Sequence, residues 1–315
     1  MKYTLLAGHK VSNISLGTVQ LGINYGIANE LGKPDRQKSY SMLEEALKNG
    51  ITSLDTAHSY GDSEEVLGGF FARGGYGDKM PFITTKFFTT APAGSPDSVV
   101  EREIMTSVET SLKRLGLKKV NCLLMHRPED MIQHGDIVPR TLEKLIKEGY
   151  TDIVGASIYQ PEEVETLLQN DLYSAIQIPM SLFDQKLYHM GYLERLEKRK
   201  VGVFVRSVFL QGLFFLDPEH IQDPDLQIHA APHIRTLKKL AEKSGLSIAQ
   251  FAVSFIRDLP GVTSLVLGAD TPEQIKENIL LVDGPPIPEE LREESYKAFA
   301  GVDLKAIMSV LSRPK

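Results

Sequence analysis

The sequence predicts one (β/α)8 TIM barrel over residues 1–315, with an N-terminal lead-in and extra C-terminal helices. Three observations lead to it. Eight short apolar runs recur along the chain, each followed by a turn and usually by residues at helical spacing. The runs are mostly continuous rather than alternating, so both faces of each strand are buried, as in a parallel sheet. Eight such units in about 300 residues fit a closed barrel better than an open doubly wound sheet.

The elements follow in order. "MKYTLLAGHKVSN" leads in to the first strand, "NISLGT". The next segment, "LGINYGIANELGKPD", is longer than a minimal strand–helix loop and is placed to cover a site. "ITSLDT" is the second strand and "FITTK" the third. After the third, Val100, Ile104, Val108, Leu112 and Leu115 keep helical spacing, Ser98 and Glu101 form a capping box, and Gly116 ends the helix. "VNCLLMH", "DIVGAS", "AIQIP" and "GVFVRS" are strands four to seven. The long stretch from Ser207 to His233 has no clear periodicity and is assigned as irregular. "TSLVLG" is the eighth strand. Thr271 caps the helix that follows, with Pro272 at its first position and Gln274 three residues after the cap. The segment from Pro288 to Leu311 adds one or two helices.

Composition narrows the function. Hydrophobic residues make up 42% and charged residues 24%, ordinary values for a globular chain. A net charge of −6 and a pI of about 5.8 argue against nucleic acid as a partner. The lone Cys122 excludes a disulfide framework. No signal-peptide pattern and no apolar run near the roughly 18 residues of a membrane span are present, so the expectation is a cytoplasmic protein. No His/Asp/Glu cluster suggests a metal site, and His58, His134, His189, His220, His229 and His233 lie mostly in polar or loop contexts.

Barrel chemistry belongs at the C-terminal ends of the strands. There the second strand ends at Asp55, the third at Lys86 and the fourth at His126, while Tyr60 follows the second. A carboxylate at the end of a buried strand is costly unless paired, and Lys86 on the neighbouring strand supplies the partner. A nearby ammonium favours a phenolate, so Lys86 is expected to lower the pKa of Tyr60 and make it a general acid. His126 would orient the same substrate oxygen. These four describe protonation of a carbonyl. No side chain supplies a hydride, which a nicotinamide cofactor would. Each residue taken singly has a structural alternative; their coincidence at one face carries the reading.

"LDTAHSYGDSEEVLG", "TTK" and "LLMHRP" resemble the signatures of the aldo-keto reductases. "SLGTVQLG", "IVGASIY", "QIPMSLFDQ" and "GADTPEQIKENI" extend the resemblance over the whole chain. The family implies a barrel that binds NADPH, or NADH, without a Rossmann domain, and reduces an aldehyde, ketone or open-chain sugar, or runs the reverse. Matching positions imply Tyr60 as proton donor, Asp55 and Lys86 tuning it, and His126 positioning the carbonyl. They imply Ser157 and Gln177 at the carboxamide, and Gly17 and Thr18 beside the nicotinamide. The loop through Ser207, Phe209, Gln211 and Gly212 matches the one over the pyrophosphate. Gly268, Ala269, Gln274, Glu277 and Asn278 match the adenosine end.

Three positions depart from the family pattern. Ile158 follows Ser157 where the family often has Asn. Arg206 stands where many members stack an aromatic on the nicotinamide; a guanidinium can also stack. Asp270 stands near where relatives grip a 2′-phosphate with Lys or Arg. Tyr25, Phe87, Phe88 and Arg127 are the candidates for the substrate pocket. The rival from another class is a regulatory or redox-sensing subunit that binds nicotinamide with little turnover.

Overall fold

The computed structural model describes residues 1–77 and 80–313. Ten strands are present among the described residues: β1 (Tyr3–Leu6), β2 (His9–Ser12), β3 (Ile14–Gly17), β4 (Ser53–Asp55), β5 (Phe82–Phe87), β6 (Val120–Met125), β7 (Thr151–Ser157), β8 (Tyr173–Pro179), β9 (Gly202–Arg206) and β10 (Val262–Leu267). The last eight form a closed parallel barrel in the order β10-β3-β4-β5-β6-β7-β8-β9. They coincide with the eight apolar runs of the sequence. Two packed regions hold the barrel. One, large and apolar, lies mainly between strands and outer helices; the other fills the interior with Phe82, Cys122, Leu124, Ile153 and Phe204.

The N-terminal segment is more than a lead-in. β1 and β2 form an antiparallel hairpin. Ala7 and Gly8 both take positive φ, 50° and 80°, the backbone that a two-residue hairpin turn requires. Leu6 and Val11 join the interior cluster and close the bottom of the barrel. A Cβ on Gly202 would come within 2.6 Å of Leu6, so the hairpin seats directly on β9.

Helix boundaries bring two further corrections. The helix Asp97–Leu115 starts from Pro96 with no side-chain cap, so Ser98 and Glu101 form no capping box. Ser98 already lies inside the first turn, and Glu101 pairs with Lys144 at 2.7 Å. Gly116 does end this helix, in the left-handed conformation at φ 64°. The stretch from Ser207 to His233 is only partly irregular: it contains a 3-10 segment Leu210–Phe215 interrupted at Gln211 and Gly212, a helix Pro224–His229, and the start of the helix Ala231–Ser244. Asp223 caps the second of these by accepting from the backbone N–H groups of Asp225 and Leu226. Thr271 caps Pro272–Asp283 as expected. Two helices, Glu289–Phe299 and Leu304–Leu311, extend the C-terminus.

Candidate active site

Strand register brings the chemistry to one level. Asp55 pairs with Gly17 and with Thr84, and Lys86 lies two residues beyond Thr84, on the same face of β5. Ser157 pairs with Gln177, and Pro179 with Arg206. Lys86 has no exposed surface. Its Nζ donates to Asp55 Oδ1 at 2.9 Å and Oδ2 at 2.8 Å, to the Thr56 carbonyl at 3.0 Å and to Tyr60 Oη at 3.4 Å. Gln177 Nε2 donates to Asp55 Oδ1 at 2.7 Å. The rings of Tyr60 and His126 meet edge to face, 5.7 Å apart. Ser59 Oγ lies 3.1 Å from His126 Nδ1.

The electrostatics correct one expectation. Burial pushes the Tyr60 phenol above its usual pKa of 10.0; Lys86 and Arg206 oppose the rise, Asp55 adds to it, and the net direction is upward. The expected lowering by Lys86 exists, but desolvation of the phenolate outweighs it. Burial acting alone would lower the pKa of Lys86, yet Asp55 and Tyr60 more than offset this and hold the ammonium above its ordinary range. Burial, Lys86 and Arg206 together push His126 down to about 3, so its ring is neutral at physiological pH.

A cavity of about 600 Å³ opens from this cluster. Asp55, Tyr60 and His126 line one end, with Tyr25, Ser157, Gln177 and Arg206 around them. Gly17 and Thr18 form part of the wall, and Thr18 Oγ1 donates to the Asp55 carbonyl at 2.9 Å. Ser207, Phe209, Gln211 and Gly212 follow along one side. Gly268, Gln274, Glu277 and Asn278 line the far end, where β10 runs into Pro272–Asp283. Ala269 is buried behind that wall rather than lining it.

Three pocket candidates fall elsewhere. Phe87 is a core side chain with 1% exposure. Phe88 packs against His58, and Arg127 lies over the Phe88 ring, bonded to the Thr89 carbonyl. None of the three lines the cavity. An aromatic at a strand end can turn outward into the helix layer as readily as inward, and the sequence holds no signal that separates the two.

The wall also contains residues that the sequence reading did not name. Gln20 lies on the short helix Val19–Gly22 against Gly268, where a Cβ would meet its amide nitrogen at 2.2 Å. Tyr159 sits beneath Arg206, whose guanidinium is 4.4 Å from the ring centroid. Arg206 also donates to the Ile158 carbonyl at 3.0 Å, so Ile158 serves through its backbone. Asn29 Nδ2 donates to Asp270 Oδ1 at 3.0 Å, and the Ile27 N–H to the Gln211 carbonyl at 2.8 Å. These bonds strap the loop after β3 across the cavity, as its length had suggested. The facing segment is strained: Ser207, Leu210, Gln211 and Gly212 take φ of 65°, 46°, 57° and 94°. Such clusters of positive φ accompany ligand clamps.

A ligand with amide donors fits one feature in particular. Gln177 Oε1 is buried without a hydrogen-bond partner among the described residues, and the same side chain lines the cavity. An orphaned acceptor of this kind is costly until a ligand satisfies it.

Comparison with known proteins agrees with this geometry. The sequence pattern described as the Aldo/keto reductase family matches residues 13–293. A protein named as a putative voltage-gated potassium channel subunit beta from Schizosaccharomyces pombe is 28% identical, covering 88% of this chain and 86% of its own. The L-glyceraldehyde 3-phosphate reductase of Escherichia coli K12 is 25% identical, covering 85% and 84% respectively. An aldo-keto reductase of Bacillus halodurans, solved in its holo form, superposes with a TM-score of 0.77 at 22% identity, over 95% of this chain and 96% of that one. The chain belongs to the aldo/keto reductase family and is, as such, an NAD(P)-dependent oxidoreductase.

Proposed function

We propose that the protein reduces the carbonyl of an aldehyde, ketone or open-chain sugar, with Tyr60 as the proton donor and a nicotinamide dinucleotide in the long cavity. The observation that carries this reading is the set of bonds from Lys86 Nζ to Asp55 and Tyr60 at the end of that cavity. Reduced nicotinamide, when bound, supplies the hydride. Ser157 and the orphaned Gln177 Oε1 would hold its carboxamide, and the strained segment Ser207–Gly212 would lie along its diphosphate.

The chain's own residues handle the proton. Tyr60 is a phenol at neutral pH, and burial, which raises its pKa further, keeps it one into the alkaline range. As negative charge develops on the substrate oxygen, Tyr60 Oη gives up its proton. Lys86 stabilises the phenolate that remains, while Asp55 keeps the ammonium itself neutralised. His126 is neutral, and in the tautomer in which Ser59 Oγ donates to Nδ1 its Nε2–H would donate to the carbonyl oxygen. General acid catalysis of this kind contributes about 10²–10⁴-fold. Tyr60→Phe is therefore expected to lose turnover by that order while nucleotide affinity, measured by titration, stays within severalfold of the original. Retained turnover would remove Tyr60 from the role.

A second reading draws on the relative named as a channel subunit: a nicotinamide-binding regulatory protein with little turnover. The intact Asp55, Tyr60, Lys86 and His126 set favours chemistry, because a pure binding role does not need a buried ammonium against a phenol.

A further inference from the structure

We propose that the cavity selects NADH over NADPH and that Asp270 is the residue that discriminates. This rests on the reading that a nicotinamide dinucleotide occupies the cavity. The hydride-donating ring must then lie beside Tyr60. The adenosine ribose falls at the opposite end, where β10 meets the helix Pro272–Asp283. The two nucleotides differ only there, by a phosphate on the ribose that carries up to two negative charges. A protein that holds such a phosphate places Lys or Arg against it.

The charges on the wall are arranged the other way. Arg206 is the one cation among the described lining residues, and it is at the Tyr60 end, over Tyr159. At the far end the charged lining residues are Asp270 and Glu277. Asp270 is held in place from two sides. Asn29 donates to its Oδ1 at 3.0 Å, and its backbone N–H donates to Gln274 Oε1 at 2.6 Å. Its Oδ2 meets no hydrogen-bond donor among the described residues, which leaves one carboxylate oxygen for a ribose hydroxyl. A carboxylate so placed accepts well from a 2′-hydroxyl and repels a 2′-phosphate.

The nearby cations do not reverse this. Lys276 is 3.6 Å from Glu45 of the helix Arg36–Lys48 and does not line the cavity. Lys38 acts on Asp270 from the helix Arg36–Lys48 but makes no ion pair within 4 Å among the described residues and does not line the cavity. Glu273, on the first turn of the neighbouring helix, adds a further negative charge in reach of Lys38.

The test is a pair of fluorescence titrations of the full chain, with NADH and with NADPH, at fixed ionic strength. NADH is expected to bind at least about tenfold tighter than NADPH. Asp270→Arg is expected to invert that preference, and Asp270→Asn, which keeps the shape and removes the charge, to narrow it. Equal or tighter binding of NADPH by the unaltered protein would overturn the proposal and leave the dinucleotide reading standing. An unchanged ratio in Asp270→Asn would overturn the role of Asp270, whether or not the arginine variant folds. Binding of neither nucleotide would overturn the dinucleotide reading itself, and the proposal with it.

Discussion

A lysine with no exposed surface is expensive to keep charged, and Lys86 persists inside the barrel because Asp55 receives it with both carboxylate oxygens. Removing one partner of such a pair strands the other. Lys86→Met should therefore destabilise the protein by about 3–5 kcal/mol in urea unfolding. A loss below about 1 kcal/mol would mean that Asp55 finds another partner. The pH dependence follows from the same cluster. The folded Tyr60 titrates above 10.0, so it holds its proton through neutral and mildly alkaline pH. Carbonyl reduction should then show no acid–base limb between pH 6 and 9, and alcohol oxidation, which needs the phenolate, should accelerate as pH rises towards and past 10. His126, displaced to about 3, adds no limb near pH 6.5. An inflection near pH 6.5 in kcat/KM for reduction would contradict a neutral His126. At this scale the sequence is informative about identity: a strand that ends in a carboxylate demands a partner, and the neighbouring strand ends in Lys86. The direction of the Tyr60 shift was not legible, because it depends on how completely later loops exclude water.

Elements place these residues by close backbone contact. Gly22, at the end of the short helix Val19–Gly22, passes so near the Tyr60 loop that a Cβ would lie 1.7 Å from the Tyr60 carbonyl oxygen and 2.7 Å from the Ser63 nitrogen. Gly22→Ala must displace that loop. A misplacement of about 1 Å can cost about 10²-fold in rate, so kcat should fall by roughly that much while nucleotide affinity stays near its original value. An unchanged kcat would show that the Tyr60 loop is free to move without consequence. The sequence made strand positions plain, because an apolar run of five or six residues has few other uses. Caps and turns were less legible. Ser98 and Glu101 have the spacing of a capping box, but Pro96 starts the helix earlier, and a working box at Gln160 and Glu163 went unread. The Ala7–Gly8 turn carried a hairpin signal only weakly, since alanine rarely takes positive φ.

The whole molecule is an alternation that closes. Eight strand–helix units make the barrel, the hairpin closes its bottom, and the strand ends build the site at the other mouth. That much follows from repeat count and from the rule that chemistry sits at the C-terminal ends of barrel strands. The length of the cavity does not. Its strap joins Asn29 to Asp270, 241 positions apart, and no local pattern announces a contact at that separation. The relatives divide between a named reductase and a named channel subunit, so turnover is the property that separates the two readings. The most direct measurement is the rate of reduced-nicotinamide oxidation by the full chain against a panel of aldehydes, ketones and sugars, with background subtracted. Carbonyl-dependent oxidation that Tyr60→Phe abolishes is the result this account predicts. Tight nucleotide binding with no carbonyl-dependent oxidation on any member of the panel would contradict it.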